Sequence, residues 1–255
     1  MLNGLRSGQL GLQAQTVRMD TVANNIANLN SMGFKRSEVS FQDAEYRELT
    51  SPGQPVTGRV TAGGGVTVCA VDRDLSTGPL VPTGRYLDVA IDGNGFFAIS
   101  LPDGSRGLTR NGQFFRDASG YLVNSQGSII LPGVQIPSDC TSFSISPEGE
   151  ITGTFLEGEA RDLGEISLFY VSNPQGLQAM GNGIYIESPA SGAAAAAFPG
   201  DQDMGLIKQG FLEQSNVNLA QEMVQMISAQ RSFQLSAKTI RTADELWSLA
   251  NAMRR

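Results

Sequence analysis

The chain has 255 residues, of which 18 are Lys or Arg, 25 are Asp or Glu, 30 are Gly, two are Cys and none is His. Without histidine there is no His-dependent triad, no His-ligated zinc and no imidazole proton shuttle, and a net charge of −7 argues against nucleic acid, which rewards a basic face. Charged residues make up 17% against roughly 25% in ordinary soluble domains, which suits a surface covered by other protein.

The length allows one large or two ordinary domains. Cys69 and Cys140 are too few for a disulfide framework or a CxxC metal site. No apolar run approaches the ~20 residues of a membrane span, so membrane insertion is not expected. Residues 1–10 carry no basic region ahead of an apolar stretch and no small-residue cleavage site. A cleaved secretory signal is therefore not expected.

The first predicted element is a helix. Leu5, Leu12, Met19 and Ile26 recur at every seventh position between Leu2 and Leu29. Leu2, Ala23 and Leu29 fall at intermediate steps, and polar Gln9 and Thr16 fill the other two. That is a helical stripe of heptad period. Next, Thr50 to Gly65 (TSPGQPVTGRVTAGGG) is almost devoid of apolar residues and reads as an extended arm or loop.

Short strand-like runs then follow at 66–71, 87–91, 96–101, 142–145, 165–171 and 183–186. Asp92-Gly93, Asn94-Gly95, Asp103-Gly104 and Asn111-Gly112 separate the runs at hairpin-like spacing. No long helical pattern interrupts them, which disfavours a parallel β/α layout and leaves a Gly-rich, mostly antiparallel β-domain. Within it, Ser191–Gly200 (SGAAAAAFPG) is low in complexity, as a short helix or a loop.

Helical spacing returns from Asn218 to Met253, at Leu219, Met223, Met226, Gln230, Phe233, Ala237, Ile240, Ala243, Trp247 and Ala250. Ser215-Asn216 is placed to cap this helix. The expected organisation is an N-terminal helix over 1–34, an arm or linker over 35–75, a β-domain over 76–214 and a C-terminal helix over 215–255. The fold class is α+β. Neither helix can bury its stripe alone, and pairing the two as a coiled coil buries both. The alternative is that each caps the β-domain core. The narrow heptad spacing favours pairing, because a helix on a globular core shows a wider stripe.

Few residues suggest chemistry. Gly93-Asn-Gly95 is too short for a dinucleotide loop and opens no helix. Asp72-Arg73-Asp74 offers two carboxylates to a cation, but an intervening arginine makes a solvated pair the simpler reading. Glu148, Glu150, Glu157 and Glu159 stand beside Gly149 and Gly158, and nothing sets an acid against a base as glycoside hydrolysis needs. No catalytic residue, cofactor or metal is expected. An oligomerised glycan-binding or hydrolytic β-domain remains the alternative of another class.

Several blocks carry a resemblance. Near the N-terminus stands Val22-Ala-Asn-Asn-Ile-Ala-Asn28, followed by Gly33-Phe-Lys-Arg36. Asp88-Val-Ala-Ile-Asp-Gly-Asn-Gly-Phe-Phe97 and Leu108-Thr-Arg-Asn-Gly-Gln-Phe114 lie between the ends. Near the C-terminus stand Gln209-Gly-Phe-Leu-Glu-Gln-Ser-Asn-Val-Asn218 and the run from Glu222 to Phe233. In this order the chain resembles, end to end, the bacterial flagellar basal-body rod and hook family. Its length and arm look most like the distal rod member, with a proximal rod or hook-type paralogue as the alternative.

The resemblance implies a non-enzymatic subunit that polymerises as a helical tube, transmits torque and forms part of an export channel. The terminal helices would pair in the inner layer, and export would proceed by the flagellar type III route. Implied partners are copies of itself, other axial proteins (proximal rod and hook) and a ring bushing around the rod. The subunit interface expected on this basis comprises Leu5, Leu12, Met19, Asn24, Asn25, Ile26, Asn28, Gly33, Phe34, Asn216, Leu219, Met223, Met226, Phe233, Ile240 and Trp247. Asparagine is a poor helix-interior residue, so Asn24, Asn25 and Asn28 are read as amides that fix register between neighbouring subunits. The alternative is a fraying helix end with Asn30 or Gly33 as its C-cap. Gly33 would turn the chain out of the helix, and Phe34 would anchor the arm.

Overall fold

A computed structural model describes residues 2–48, 61–155, 159–201 and 204–253. Most of the predicted arm, Glu157, and the side chains of Leu2 and Ala250 lie outside what is described. The chain divides into two units: 1–27, 37–74 and 218–255 form the first, and 28–36 and 75–217 the second. This division differs from the one expected. Much of the predicted linker belongs with the helices, because it folds into a strand pair that packs on one of them.

The first unit holds α1 (Leu2–Ala27), α2 (Leu219–Ala252) and an antiparallel pair of strands, Ser37–Asp43 with Val66–Arg73. The helices pack antiparallel: Gly8 faces Ile240, Gly11 faces Ser236, and Asn25 meets Glu222. α1 also packs against both strands, so it has two partners and a wide buried face. Its fully buried positions are Ala14, Val22 and Asn25, while Leu5, Leu12, Met19 and Ile26 are only half-buried on the flank of that face.

On α2 the buried positions are Glu222 and Ala229, with Met226, Phe233, Ile240 and Ala243 half-buried. The stripe therefore holds at Met226, Phe233, Ala237, Ile240 and Ala243. It fails at Leu219, Met223, Gln230 and Trp247, which are exposed. Treating every apolar position as one seam merges two different faces of the helix.

Both helix ends differ from expectation. α1 stops at Ala27 rather than 34: the Ser31 amide donates to the Asn28 carbonyl (3.1 Å), and Gly33 takes a left-handed φ of 69°. The cap of α2 is Asn218, whose side chain accepts from the amides of Ala220 (3.0 Å) and Gln221 (3.3 Å), rather than Ser215 or Asn216. An Asn cap satisfies first-turn amides that have no helical partner.

The second unit is a β-domain. A four-stranded antiparallel sheet runs in the order 178–181, 184–186, 106–109, 97–100. A three-stranded sheet joins Cys140–Ile145, Glu150–Phe155 and Ala160–Glu165. Asp103-Gly104 forms a hairpin turn as expected, but Asp92-Gly93 does not. The strand Val89–Asp92 pairs instead with Leu206–Gln209, and Leu80–Pro82 pairs with Phe211–Glu213. Sequence-distant ends thus close the domain. The low-complexity stretch is neither helix nor loop throughout: Ala195–Ala197 pairs with Leu168–Tyr170, and alanines allow that close pairing without side-chain crowding.

Burial explains the strand pattern. Val89, Ile91, Phe97, Phe114, Ile151 and Leu168 are at most 1% exposed and form one core cluster, with Phe97 and Phe114 edge to face at 5.3 Å. A second cluster gathers Phe96, Leu108, Phe169 and Tyr185. Cys69 and Cys140 are both free thiols.

The helix pair generates a test. A Cβ added at Gly8 would lie 2.8 Å from Ile240 Cγ1, whereas Gly4 has nothing within 4 Å. Gly8→Val is expected to destabilise the helix pair by about 1–3 kcal/mol through overpacking. Gly4→Ala should be neutral or stabilising, by up to about 1 kcal/mol. Thermal melting followed at the helical circular-dichroism band distinguishes them.

Candidate functional site

The described residues show no enzyme-like constellation. No group of three His, Cys, Asp or Glu among them is placed to hold a metal. Asp72 accepts a hydrogen bond from Ser40 Oγ (3.1 Å) across its strand pair, and Glu159 pairs with Arg161 (2.9 Å) in full exposure. Polar groups gather instead in two buried clusters built from the end blocks of the sequence.

The first cluster belongs to the helical unit. Asn25 is 1% exposed near the end of α1. Its Oδ1 accepts from the Ser37 amide (2.9 Å), and its Nδ2 donates to the Ser37 carbonyl (2.8 Å) and to Glu222 Oε2 (3.1 Å). One amide thus holds both backbone groups of the residue that opens the strand pair, and reaches α2 as well. The geometry suits Asn alone, since it needs a donor with two hydrogens beside an acceptor.

The second cluster belongs to the β-domain. Lys35, with no exposed side-chain surface, places Nζ 2.6 Å from Glu213 Oε1. That ammonium also donates to the Ser76 carbonyl (2.7 Å), and Glu213 Oε1 accepts from the Gly78 amide (2.8 Å). Arg110 Nη1 lies 3.6 Å from Glu213 Oε2, Nη2 donates to the Gly93 carbonyl (2.8 Å), and the guanidinium stands over the Phe96 ring at 5.3 Å. Carbonyl dipoles and the ring face add to the carboxylate in stabilising these two cations. Burial pulls the Arg110 guanidinium below its ordinary pKa, and Glu213 opposes that shift.

Asn216 completes this knot. Its Oδ1 accepts from the Arg36 amide (2.7 Å), and its Nδ2 donates to the Ser76 carbonyl (3.3 Å). The Gly33 amide donates to the Glu213 carbonyl (2.8 Å). A Cβ at Gly33 would fall 2.7 Å from the Asn111 nitrogen in a backbone conformation that L side chains avoid, so glycine is required there.

These placements redistribute the expected interface residues. Asn25, Gly33 and Asn216 have their polar groups committed inside their own units. Within the chain, the Asn25 amide holds Ser37 and Glu222. Asn28 lies beyond the helix in a turn, its side chain accepting from Ser31 Oγ (3.1 Å), and Phe34 is half-buried. Asn24, Leu219, Met223 and Trp247 are exposed.

Sequence reasoning missed Lys35, Arg110, Glu213 and Glu222. The available signal was a charged residue in each apolar end block of a chain with sparse charge. Lys35 and Glu213 are each the central charge of a block already singled out.

Asn25→Ala is expected to cost the unassembled chain about 1–3 kcal/mol, because it strands buried backbone groups of Ser37 and the Glu222 carboxylate. Urea unfolding of the full chain measures this. An unchanged midpoint would mean these hydrogen bonds carry no net stability.

Comparison with known proteins agrees with these blocks. Residues 5–35 match the family model for flagella basal body rod proteins, 90–153 that for the flagellar hook protein FlgE/F/G D1 domain, and 208–253 that for the flagellar basal body rod FlgEFG protein C-terminal region. The flagellar basal-body rod protein FlgG of Borreliella burgdorferi is 37% identical over the whole of both chains. FlgG of Bacillus subtilis is 40% identical over 96% of this chain and 97% of its own. The hook-basal body complex protein FlhP of the same bacterium is 27% identical over the full length of both. Asn25, Lys35, Glu213, Asn216 and Glu222 therefore lie in the parts of the chain that the rod models match and Arg110 in the D1 match, and the chain belongs to the flagellar basal-body rod protein FlgG family, a family of structural subunits rather than enzymes.

Proposed function

We propose that the chain is a distal rod subunit that polymerises as a helical tube and transmits torque. Its terminal helices pair as a coiled coil in an inner layer around an export channel, and the β-domain forms an outer layer. Such a subunit would reach the cell envelope by the flagellar type III route, without a cleaved signal. Its partners would be copies of itself, neighbouring proximal rod and hook proteins, and a ring bushing.

One observation carries this reading. On the side of α2 opposite Glu222 and Ala229, Val224, Ile227, Leu235, Leu246, Leu249 and Met253 are all more than half exposed. At 100° per residue they fall within roughly 100° of arc. The opposite face of the helix is already occupied by α1. An apolar face of this kind, interrupted by exposed Arg231, Lys238 and Thr242, marks a surface that another protein covers, and the sparse charge of the chain lowers the desolvation cost of covering it. Met223, also exposed, extends the surface; exposed Leu219 lies further round the helix and exposed Trp247 on the side of Ala229 near the helix end. Leu5, Leu12, Met19 and Ile26 line the α1 side in the proposed interface.

The relatives support the rod over an alternative axial role, because identity over the full chain is higher to FlgG than to FlhP. The test is the triple substitution Ile227→Lys, Leu235→Lys and Leu249→Lys in the full chain. It should abolish self-association in sedimentation and rod completion in cells. Monomer stability should move by no more than about 0.5 kcal/mol per site, as for exposed positions. Unchanged polymerisation would contradict the reading.

A further inference from the structure

The chain passes between the two units at four places: 27/28, 36/37, 74/75 and 217/218. On the β-domain side these links leave from three segments, 28–36, 75–78 and 213–217. All three meet in the Lys35–Glu213–Arg110 knot. Gly33, Lys35 and Arg36 tie the first segment to Glu213 and Asn216; Ser76 and Gly78 tie the second to Lys35, Asn216 and Glu213. The backbone reinforces this, with the Gln214 amide donating to Pro79 (2.9 Å).

We infer that this knot is the mechanical root of every covalent link between the units, and that it opens as one piece without unfolding the β-core. Any force passed along the chain between the units must travel through these four links. A load on one link is shared with the others only if their roots are joined, and a buried charge pair joins them stiffly because separating it leaves a charge without a partner in low dielectric. The core is built differently. Ile99, Phe114, Ile130 and Ile151 are completely buried and hold together by apolar packing. The Ser100, Ile130 and Ile136 amides bond to Ile129, Leu122 and Gly120, none of which belongs to the knot. Two regions held by different forces and by separate contacts open as separate cooperative pieces.

The mechanical purpose rests on the torque reading above, but the opening behaviour does not. It is tested on the unassembled full chain by native-state hydrogen exchange, so its failure is distinguishable from a failure to polymerise. Glu213→Ala removes the central carboxylate. The amides of Gly33, Arg36 and Gln214, whose acceptors survive the substitution, should exchange at least tenfold faster. The amides of Ser100, Ile130 and Ile136 should stay within twofold of the unsubstituted protein. Equal acceleration in both sets, or none at Gly33, Arg36 and Gln214, overturns the inference. If Glu213→Ala does not fold, the β-core depends on the knot and the inference is equally overturned. Lys35→Met, which leaves Glu213 in place against Arg110, is read on the same two sets and must give the same separation.

Discussion

A lysine side chain with no exposed surface has to meet a carboxylate, because an unpaired charge in a protein interior costs several kcal/mol. Lys35 meets Glu213 at 2.6 Å, and much of the β-domain's layout follows from bringing those two residues together across 178 positions of sequence. The strand pairings Leu80–Pro82 with Phe211–Glu213 and Val89–Asp92 with Leu206–Gln209 carry the C-terminal segment to that meeting. Asn216 then bonds the Arg36 amide and the Ser76 carbonyl, and Arg110 stands 3.6 Å from the other oxygen of Glu213. Apolar packing alone would hold the β-core, but it would not specify which distant segments close it.

The helical unit makes the same use of polar residues on a smaller scale. Asn25 ties α1 to the start of the strand pair and to Glu222 on α2. With that junction set, α2 has one side occupied by α1 and the other lined by exposed Val224, Ile227, Leu235 and Leu249. A rod subunit needs such a division. One face builds the protomer, and another stays apolar for neighbours.

Much of the fold was legible in the sequence, and the failures have a common cause. Heptad spacing located both helices, and Asp103-Gly104 located a true hairpin. The spacing of α2 does not separate Leu219 and Met223 from the buried positions because apolar residues line two faces of that helix, and periodicity does not say which face the chain itself covers. Trp247 shares the direction of Ala229 but is exposed near the helix end. Strands at 37–43, 80–82, 106–109, 150–155, 160–165, 206–209 and 211–213 are among those the sequence pattern does not show. They are short or carry polar residues, and long-range pairing rather than local pattern sets them. The end blocks pointed to the right family but not to the bonds that their polar residues make within the chain. A sequence shows that Asn25 sits awkwardly in a helix, but its partner Ser37 lies twelve positions away, beyond a turn, and Glu222 lies nearly two hundred away. Glu213 was hidden for the same reason: a single glutamate reads as surface until Lys35 is placed against it.

The most direct measurement is a near-atomic electron-microscopy reconstruction of the polymer formed by this chain. It should show Val224, Ile227, Leu235, Leu246 and Leu249 covered by a helix of a neighbouring copy, with Asn25 still bonded to Ser37 and Lys35 still paired with Glu213. A polymer in which that face of α2 remains open to solvent, or in which these intrachain bonds are broken to make contacts between copies, would contradict the central claim that the polar end blocks build the protomer and the apolar outer face of α2 builds the rod.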